Sequence, residues 1–153
     1  MTDFKTFGLS GPVLEALDKM GFVEATPIQK KAIPLVMEGR DVLGQAQTGT
    51  GKTAAFGIPI AERLDPDAPH VQALILSPTR ELAVQIAEEV HEITLFTGHK
   101  VLPVYGGQRI DRQITALKKD GVVEFADARR CLVPDFVVLL DAVGEDADGG
   151  MID

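Results

Sequence analysis

Apolar side chains recur along this chain at two spacings, and the switch between them marks out the elements. Ser10 takes the place of a helix N-cap, Pro12 lies in the first turn, and Val13, Leu14, Leu17 and Met20 form one face that stops at Gly21. Thr26-Pro27 opens a second helix, with Ile28, Ala32, Ile33 and Val36 at helical spacing and a stop at Gly39. Asp41 to Gln45 predicts a short strand, and Thr53 to Leu64 a helix containing Pro59. Asp65-Pro66-Asp67-Ala68-Pro69 reads as a surface turn. Val71 to Leu76 is mostly apolar, the pattern of a strand buried on both faces. Pro78-Thr79-Arg80-Glu81 then turns into a helix carrying Leu82, Ile86, Val90 and Ile93. Lys100 to Tyr105 predicts a strand closed by Gly106-Gly107, and Gln108 to Leu117 another helix.

Beyond Lys118 the pattern thins. Gly121 to Phe125 is a strand candidate, and Ala126 to Pro134 holds no clear turn-to-helix signal. Phe136 to Leu140 predicts a central strand ending in Asp141. Gly144 to Asp153 is acidic and glycine-containing, with no apolar helix to cover a sheet, and predicts a frayed end. Helix and strand signals alternate through most of the chain, which predicts an α/β fold with a largely parallel sheet flanked by helices. A length of 153 residues suits one domain with a sizeable core.

Composition narrows the setting. Apolar residues at 45% and charged residues at 25% describe a globular chain, and no apolar stretch approaches the roughly 20 residues of a bilayer crossing. A secretory leader is not expected at the start. The single Cys131 cannot form an internal disulfide, which fits a reduced, cytoplasmic setting and a passive small residue. The net charge of −8 argues against broad electrostatic capture of nucleic acid. Residues 119–153 hold Lys119, Arg129 and Arg130 against nine acids, so −6 of that charge sits there. Residues 1–118 carry only the remaining −2, which leaves room for a local RNA-binding face.

The chemistry is concentrated in Ala46-Gln47-Thr48-Gly49-Thr50-Gly51-Lys52-Thr53. This run fits the phosphate-loop pattern G-x-x-x-x-G-K-[ST], with Ala46 at the first glycine position. Backbone N–H groups of such a loop and the N-terminus of the following helix can cradle a diphosphate. Lys52 adds a point charge near the terminal phosphates, and Thr53 offers a hydroxyl to Mg2+. On these residues alone, an ordinary Gly/Thr-rich turn before a helix is the other reading.

Further motifs supply a resemblance. Gly21-Phe22-Val23-Glu24-Ala25-Thr26-Pro27-Ile28-Gln29 is similar to the Q motif of DEAD-box RNA helicases, with Phe4 as the isolated upstream aromatic. Ala46 to Thr53 matches that family's A-x-T-G-x-G-K-T motif I. Pro78-Thr79-Arg80-Glu81-Leu82-Ala83 matches its motif Ia, and Gly106-Gly107 its paired glycines. The ordered match covers about residues 1–118 and resembles the first RecA-like domain of the family, a P-loop NTPase fold, here incomplete. The expected organisation is a Q-motif helical region over 1–38, a nucleotide-binding core over 39–118 and a divergent segment over 119–153.

By this resemblance Gln29 would read the adenine edge, a contact suited to an amide's paired donor and acceptor, with Phe4 stacking on the base and Phe22 beside it. Thr48, Gly49, Thr50, Gly51, Lys52 and Thr53 would hold ATP, and Thr53 and Asp141 would hold Mg2+. Lys52 and Asp141 would act in catalysis. Pro78, Thr79, Arg80, Glu81, Gly106 and Gly107 would face RNA, Arg80 and Thr79 through phosphate. Surface pairing of Arg80 with Glu81, and a plain turn at Gly106-Gly107, are the structural alternatives.

The resemblance breaks off towards the end. Val123 to Arg130 lacks the family's T-P-G-R motif, and Asp141 is followed by Ala142 where the general-base glutamate would stand. Glu145-Asp146-Ala147-Asp148 comes a few positions late and reads as a solvated acidic tail. The S-A-T motif and the second RecA-like domain with its arginine fingers are absent from this sequence. The break after Lys118 reads as a truncated, rearranged or frameshifted product, or as a deliberately shortened chain. Nucleotide binding, weak RNA binding and little or no hydrolysis are therefore expected, with a second RecA-like domain or a partner protein completing the site in trans. A nucleotide- or partner-binding module without turnover, and a structurally marginal remnant, are the alternatives.

Overall fold

Capping decides where the helices begin and end. The computed structural model describes residues 3–68, 71–107, 109–119 and 136–139. A 3-10 turn at Phe4–Phe7 leads into helix α1, Gly11–Lys19, with Ser10 at the N-cap position. The Ser10 side chain does not cap. Its hydroxyl and its backbone N–H both donate to Glu62 Oε1, at 2.9 and 2.8 Å, and so tie the start of α1 to a later helix. Helix α2, Pro27–Met37, starts at Thr26, whose N–H donates to Gln29 Oε1 at 2.9 Å, one half of a capping box. Both helices end as predicted at glycines. Phe22 N–H donates to Leu17 O and Gly21 N–H to Asp18 O after α1; Arg40 N–H donates to Leu35 O and Gly39 N–H to Val36 O after α2.

Helix α3, Lys52–Arg63, is sequestered along most of its length and packs against α2. Strand β1, Ala73–Leu76, is followed by helix α4, Arg80–Ile93, which also packs on α3. Helix α5 spans Ile110–Lys119, and strand β2, Phe136–Leu139, pairs with β1 in parallel, Ala73 opposite Phe136 and Leu76 opposite Leu139. The core lies among the helices, where Phe4, Leu9, Val13, Leu17, Ile33, Ala54, Ile58 and Ile93 are buried together. Buried Ile93 reaches α3 at Gly57, where a Cβ would stand 3.0 Å from Ile93 Cδ1, so the glycine lets α4 approach α3. His99 Nε2 lies 2.9 Å from Leu64 O, and Arg63 donates to Val36 O at 2.9 Å, so both α3 and its exit are fastened to neighbouring segments.

Three strand expectations need correction. Residues 40–47 and 101–105 have no regular secondary structure, and Leu43 is fully exposed. A strand exists only through ladder bonds to a neighbour, and among the described residues neither segment has one. At Tyr105 the ladder groups are taken by a side chain instead: Gln113 Oε1 accepts from its N–H and Gln113 Nε2 donates to its O, both at 3.0 Å. β1 is half-buried rather than covered on both faces, with Leu76 exposed at its end. Exposed Leu43, Leu102 and Val104 fit a sheet layer that is incomplete among the described residues. The expected strand Gly121 to Phe125, the segment 126–134 with Cys131, the missing T-P-G-R region, Asp141, Ala142 and the acidic end lie outside the described residues. No helix among the described residues is long and apolar enough to cross a membrane.

Candidate nucleotide-binding and nucleic-acid-facing site

The Ala46–Gly51 loop leads directly into α3. Gly49 (φ 76°) and Gly51 (φ 79°) adopt left-handed conformations that let the chain coil tightly, and Gly51 is the N-cap residue of the helix. Lys52 and Thr53 are therefore the first helical residues, beside the unpaired N–H groups of the helix start. Thr50 Oγ1 donates back to Gln47 O at 2.7 Å and Lys52 Nζ donates to Ala46 O at 2.5 Å, so the loop closes on itself through its own lysine. Thr48 and Gly49 face solvent at its outer edge.

The N-terminus of α2 is stitched to this loop. Thr26 Oγ1 donates to Thr50 O at 2.8 Å, and Gln29 Nε2 donates to Gly51 O at 3.1 Å. With its Oε1 on Thr26 N–H, the Gln29 amide spends both ends on backbone and is 1% exposed. Phe4 is likewise placed in the core, 2% exposed, its ring edge-to-face with Phe22 at 5.7 Å and with Phe7 at 6.0 Å. Of the residues assigned to adenine, Gln29 is thus engaged by backbone groups at the loop and Phe4 by aromatic packing in the core.

Sequence reasoning missed Glu89. Its half-buried carboxyl lies where the Thr53 hydroxyl lowers its pKa, which places it where α4 packs on α3. A signal was present, since Ile86, Glu89, Val90 and Ile93 share one helical stripe and the other three are buried. Burial pushes this carboxyl above its usual range, the Thr53 hydroxyl opposes that, and nearby Glu92 adds to it. The folded chain therefore holds this proton more tightly than the unfolded chain. Its contribution to stability is complete below the ordinary carboxylate pKa and is lost as pH rises through the folded value. Glu89→Gln is expected to raise the thermal midpoint at pH 7 and to change little near pH 4. Circular-dichroism melts read this directly, and an equal shift at both pH values would contradict it.

A second group gathers where β1 ends. Thr79 caps α4, its Oγ1 accepting from Leu82 N–H at 3.2 Å, and Pro78 and Glu81 are exposed beside it. Arg80 is exposed, and its guanidinium lies 4.8 Å from the centre of the Tyr105 ring. Gly107, in a left-handed turn, sits alongside; a Cβ there would be 3.7 Å from an Arg80 terminal nitrogen. Gly106 has open space around it. The structure thus brings Thr79, Arg80 and Gly107 together after the C-terminal end of a parallel strand, where ligands bind in open α/β sheets. Glu89 lies nine residues further along α4 than Arg80, about 14 Å by helical rise, so one helix links this group to Thr53.

The comparisons with known proteins bear on both groups. The family model described as DEAD/DEAH box helicase matches residues 26–130, more than half of the chain. The chain belongs to the DEAD/DEAH box helicase family. Among curated DEAD-box relatives, the DEAD-box ATP-dependent RNA helicase CshA of Bacillus subtilis (strain 168) is 56% identical over 117 residues, covering 76% of this chain and 24% of that protein. The ATP-dependent RNA helicase CshA of Listeria monocytogenes is 47% identical over 163 residues, covering 100% of this chain and 31% of that protein. The chain therefore spans about a quarter to a third of these relatives. A DEAD box protein from the hyperthermophile Methanococcus jannaschii superposes with a TM-score of 0.70 at 36% identity, over 91% of this chain and 34% of that one. The RNA helicase Prp28 from Chaetomium thermophilum, solved with ADP, gives 0.69 at 33% identity, over 91% and 32%. The fold is accordingly the RecA-like fold of DEAD-box helicases, in part.

Proposed function

We propose that this chain is the nucleotide-holding and RNA-facing part of a DEAD-box ATP-dependent RNA helicase, working in the cytoplasm. The observation that carries the reading is the Gly49–Thr53 turn, coiled by two left-handed glycines onto the start of α3 with Lys52 beside it. In this reading the backbone N–H groups of Thr48 to Gly51 and the start of α3 take the phosphates of ATP or ADP. Lys52 exchanges the Ala46 carbonyl for a phosphate oxygen, a charge-assisted and stronger bond. Gln29 exchanges Gly51 O for the adenine edge, and Phe4 and Phe22 back the base. Mg2+, when bound, would offset phosphate charge and need few ligands from the protein. Thr53 would supply one, and Asp141, which follows β2 in the sequence, the other. Pro78, Thr79, Arg80, Glu81, Gly106 and Gly107 face a single RNA strand.

Hydrolysis is assigned elsewhere. Ala142 stands at the general-base position next to Asp141, and catalytic charge from a second RecA-like domain would come in trans. Ala142 equally favours a second reading, a nucleotide-binding module that holds a partner protein without turnover. Both are tested by titrating the folded chain with a fluorescent ADP analogue in Mg2+ and then assaying phosphate release from ATP with single-stranded RNA present. Saturable binding with no release above a Lys52→Ala control is expected. A flat titration would remove the nucleotide-binding reading, and release well above the control would place catalysis within this chain.

A further inference from the structure

We infer that Tyr105 and Gln113 are positioning residues for phosphate recognition: Gln113 pins the backbone of Tyr105, and the Tyr105 ring holds the Arg80 guanidinium beside Gly107 for a phosphate of a nucleic-acid strand. This rests on the RNA-facing reading of Arg80. The Gln113 amide occupies both backbone polar groups of Tyr105 at 3.0 Å, which fixes that residue as a strand neighbour would and sets the direction of its ring. Arg80 lies over this ring at 4.8 Å. Among the described residues it forms no ion pair, so its N–H fork stays open to an anion while its flat face is occupied. An exposed arginine ordinarily samples many rotamers, and ordering it before the ligand arrives lowers the entropy lost on binding. Gly107 leaves the approach clear, and the start of α4 adds N–H donors at the same place. The ring and the glycine come from one loop and meet at Arg80, and the clasp that holds this loop comes from α5.

Tyr105 is the sole tyrosine, and the chain has no tryptophan, so its fluorescence reports this ring alone. In the free chain, Arg80→Ala is expected to raise acrylamide quenching of that emission clearly, because the ring loses its cover. RNA affinity is read at low salt by anisotropy of a fluorescein-labelled oligouridylate, since phosphate contacts weaken with salt. Tyr105→Leu and Gln113→Leu are each expected to weaken binding about three- to tenfold, the scale of a cation–π contact, while Tyr105→Phe stays near wild type. In an Arg80→Ala background, Tyr105→Leu is expected to add nothing, with circular dichroism confirming that each variant folds. Equal weakening by Tyr105→Leu with and without Arg80 would overturn the relay, as would quenching that ignores Arg80→Ala. If quenching changes while Arg80→Ala leaves RNA binding untouched, the stack stands but its assignment to phosphate is overturned, together with the RNA-facing reading of Arg80.

Discussion

Lys52→Ala is expected to weaken ADP binding by about two orders of magnitude, the effect of removing a charge-assisted phosphate bond of roughly 3 kcal/mol. Lys52 Nζ rests on Ala46 O, a partly buried contact that closes the loop. Truncation removes that neutral-acceptor bond as well, at about 1 kcal/mol, so stability falls much less than affinity. The two effects separate experimentally. Calorimetric titration with ADP reads the first, and urea unfolding without nucleotide reads the second. Comparable losses in both would mean that Lys52 serves the fold rather than the ligand. Lys52→Arg should recover little, because the guanidinium fork does not fit a position shaped for a compact ammonium against one carbonyl.

Gly51→Ala is expected to be the most damaging single change in the loop, for two additive reasons. The residue has φ 79°, where a Cβ costs about 1–2 kcal/mol. That Cβ would also stand 2.3 Å from Gln29 Nε2, so the buried amide must leave Gly51 O. Displacing it strands buried polar groups at a further cost of about 1–3 kcal/mol. Gly49 provides the control. Its φ is 76°, yet a Cβ there has nothing within 4 Å, so Gly49→Ala carries the backbone strain alone. Urea unfolding of the pair should place Gly51→Ala roughly 2 kcal/mol below Gly49→Ala. Equal destabilisation would show that the Gln29 clasp contributes nothing to the fold.

The helices were legible in the sequence because their signals are local. Thr26 with Gln29, Thr79, Gly21 and Gly39 mark ends through bonds made within a few residues, Pro12 marks one by its fixed φ, and the apolar stripes between them face one core. Strands were legible only where the described neighbour exists. Ala73–Leu76 and Phe136–Leu139 pair in parallel, whereas Asp41 to Gln45 and Lys100 to Tyr105 carry apolar residues with no described ladder partner. Residue types announced the phosphate loop. What they could not announce was occupation of the same groups by the protein itself. Gln29 was legible as an amide able to pair with a base, and the same donor and acceptor fit Gly51 O and Thr26 N–H. Phe4 was legible as an aromatic with no local partner, and the fold gives it Phe7 and Phe22. Glu89 and Gln113 escaped notice because their neighbours, Thr53 and Tyr105, are set by tertiary packing rather than by spacing.

These occupied groups give nucleotide binding a specific form. If Lys52 leaves Ala46 O and Gln29 leaves Gly51 O, the loop, the start of α2 and the start of α3 must respond together. An amide-resolved NMR titration of the isotope-labelled chain with ADP and Mg2+ follows each of these groups at once. Saturable shifts centred on the backbone amides of Thr48 to Thr53 and on the side-chain NH2 of Gln29, with small changes along the middle of α1, are the predicted result. A folded spectrum that shows no saturable shifts, or shifts centred away from this loop, would contradict the assignment of Ala46–Thr53 as a nucleotide site.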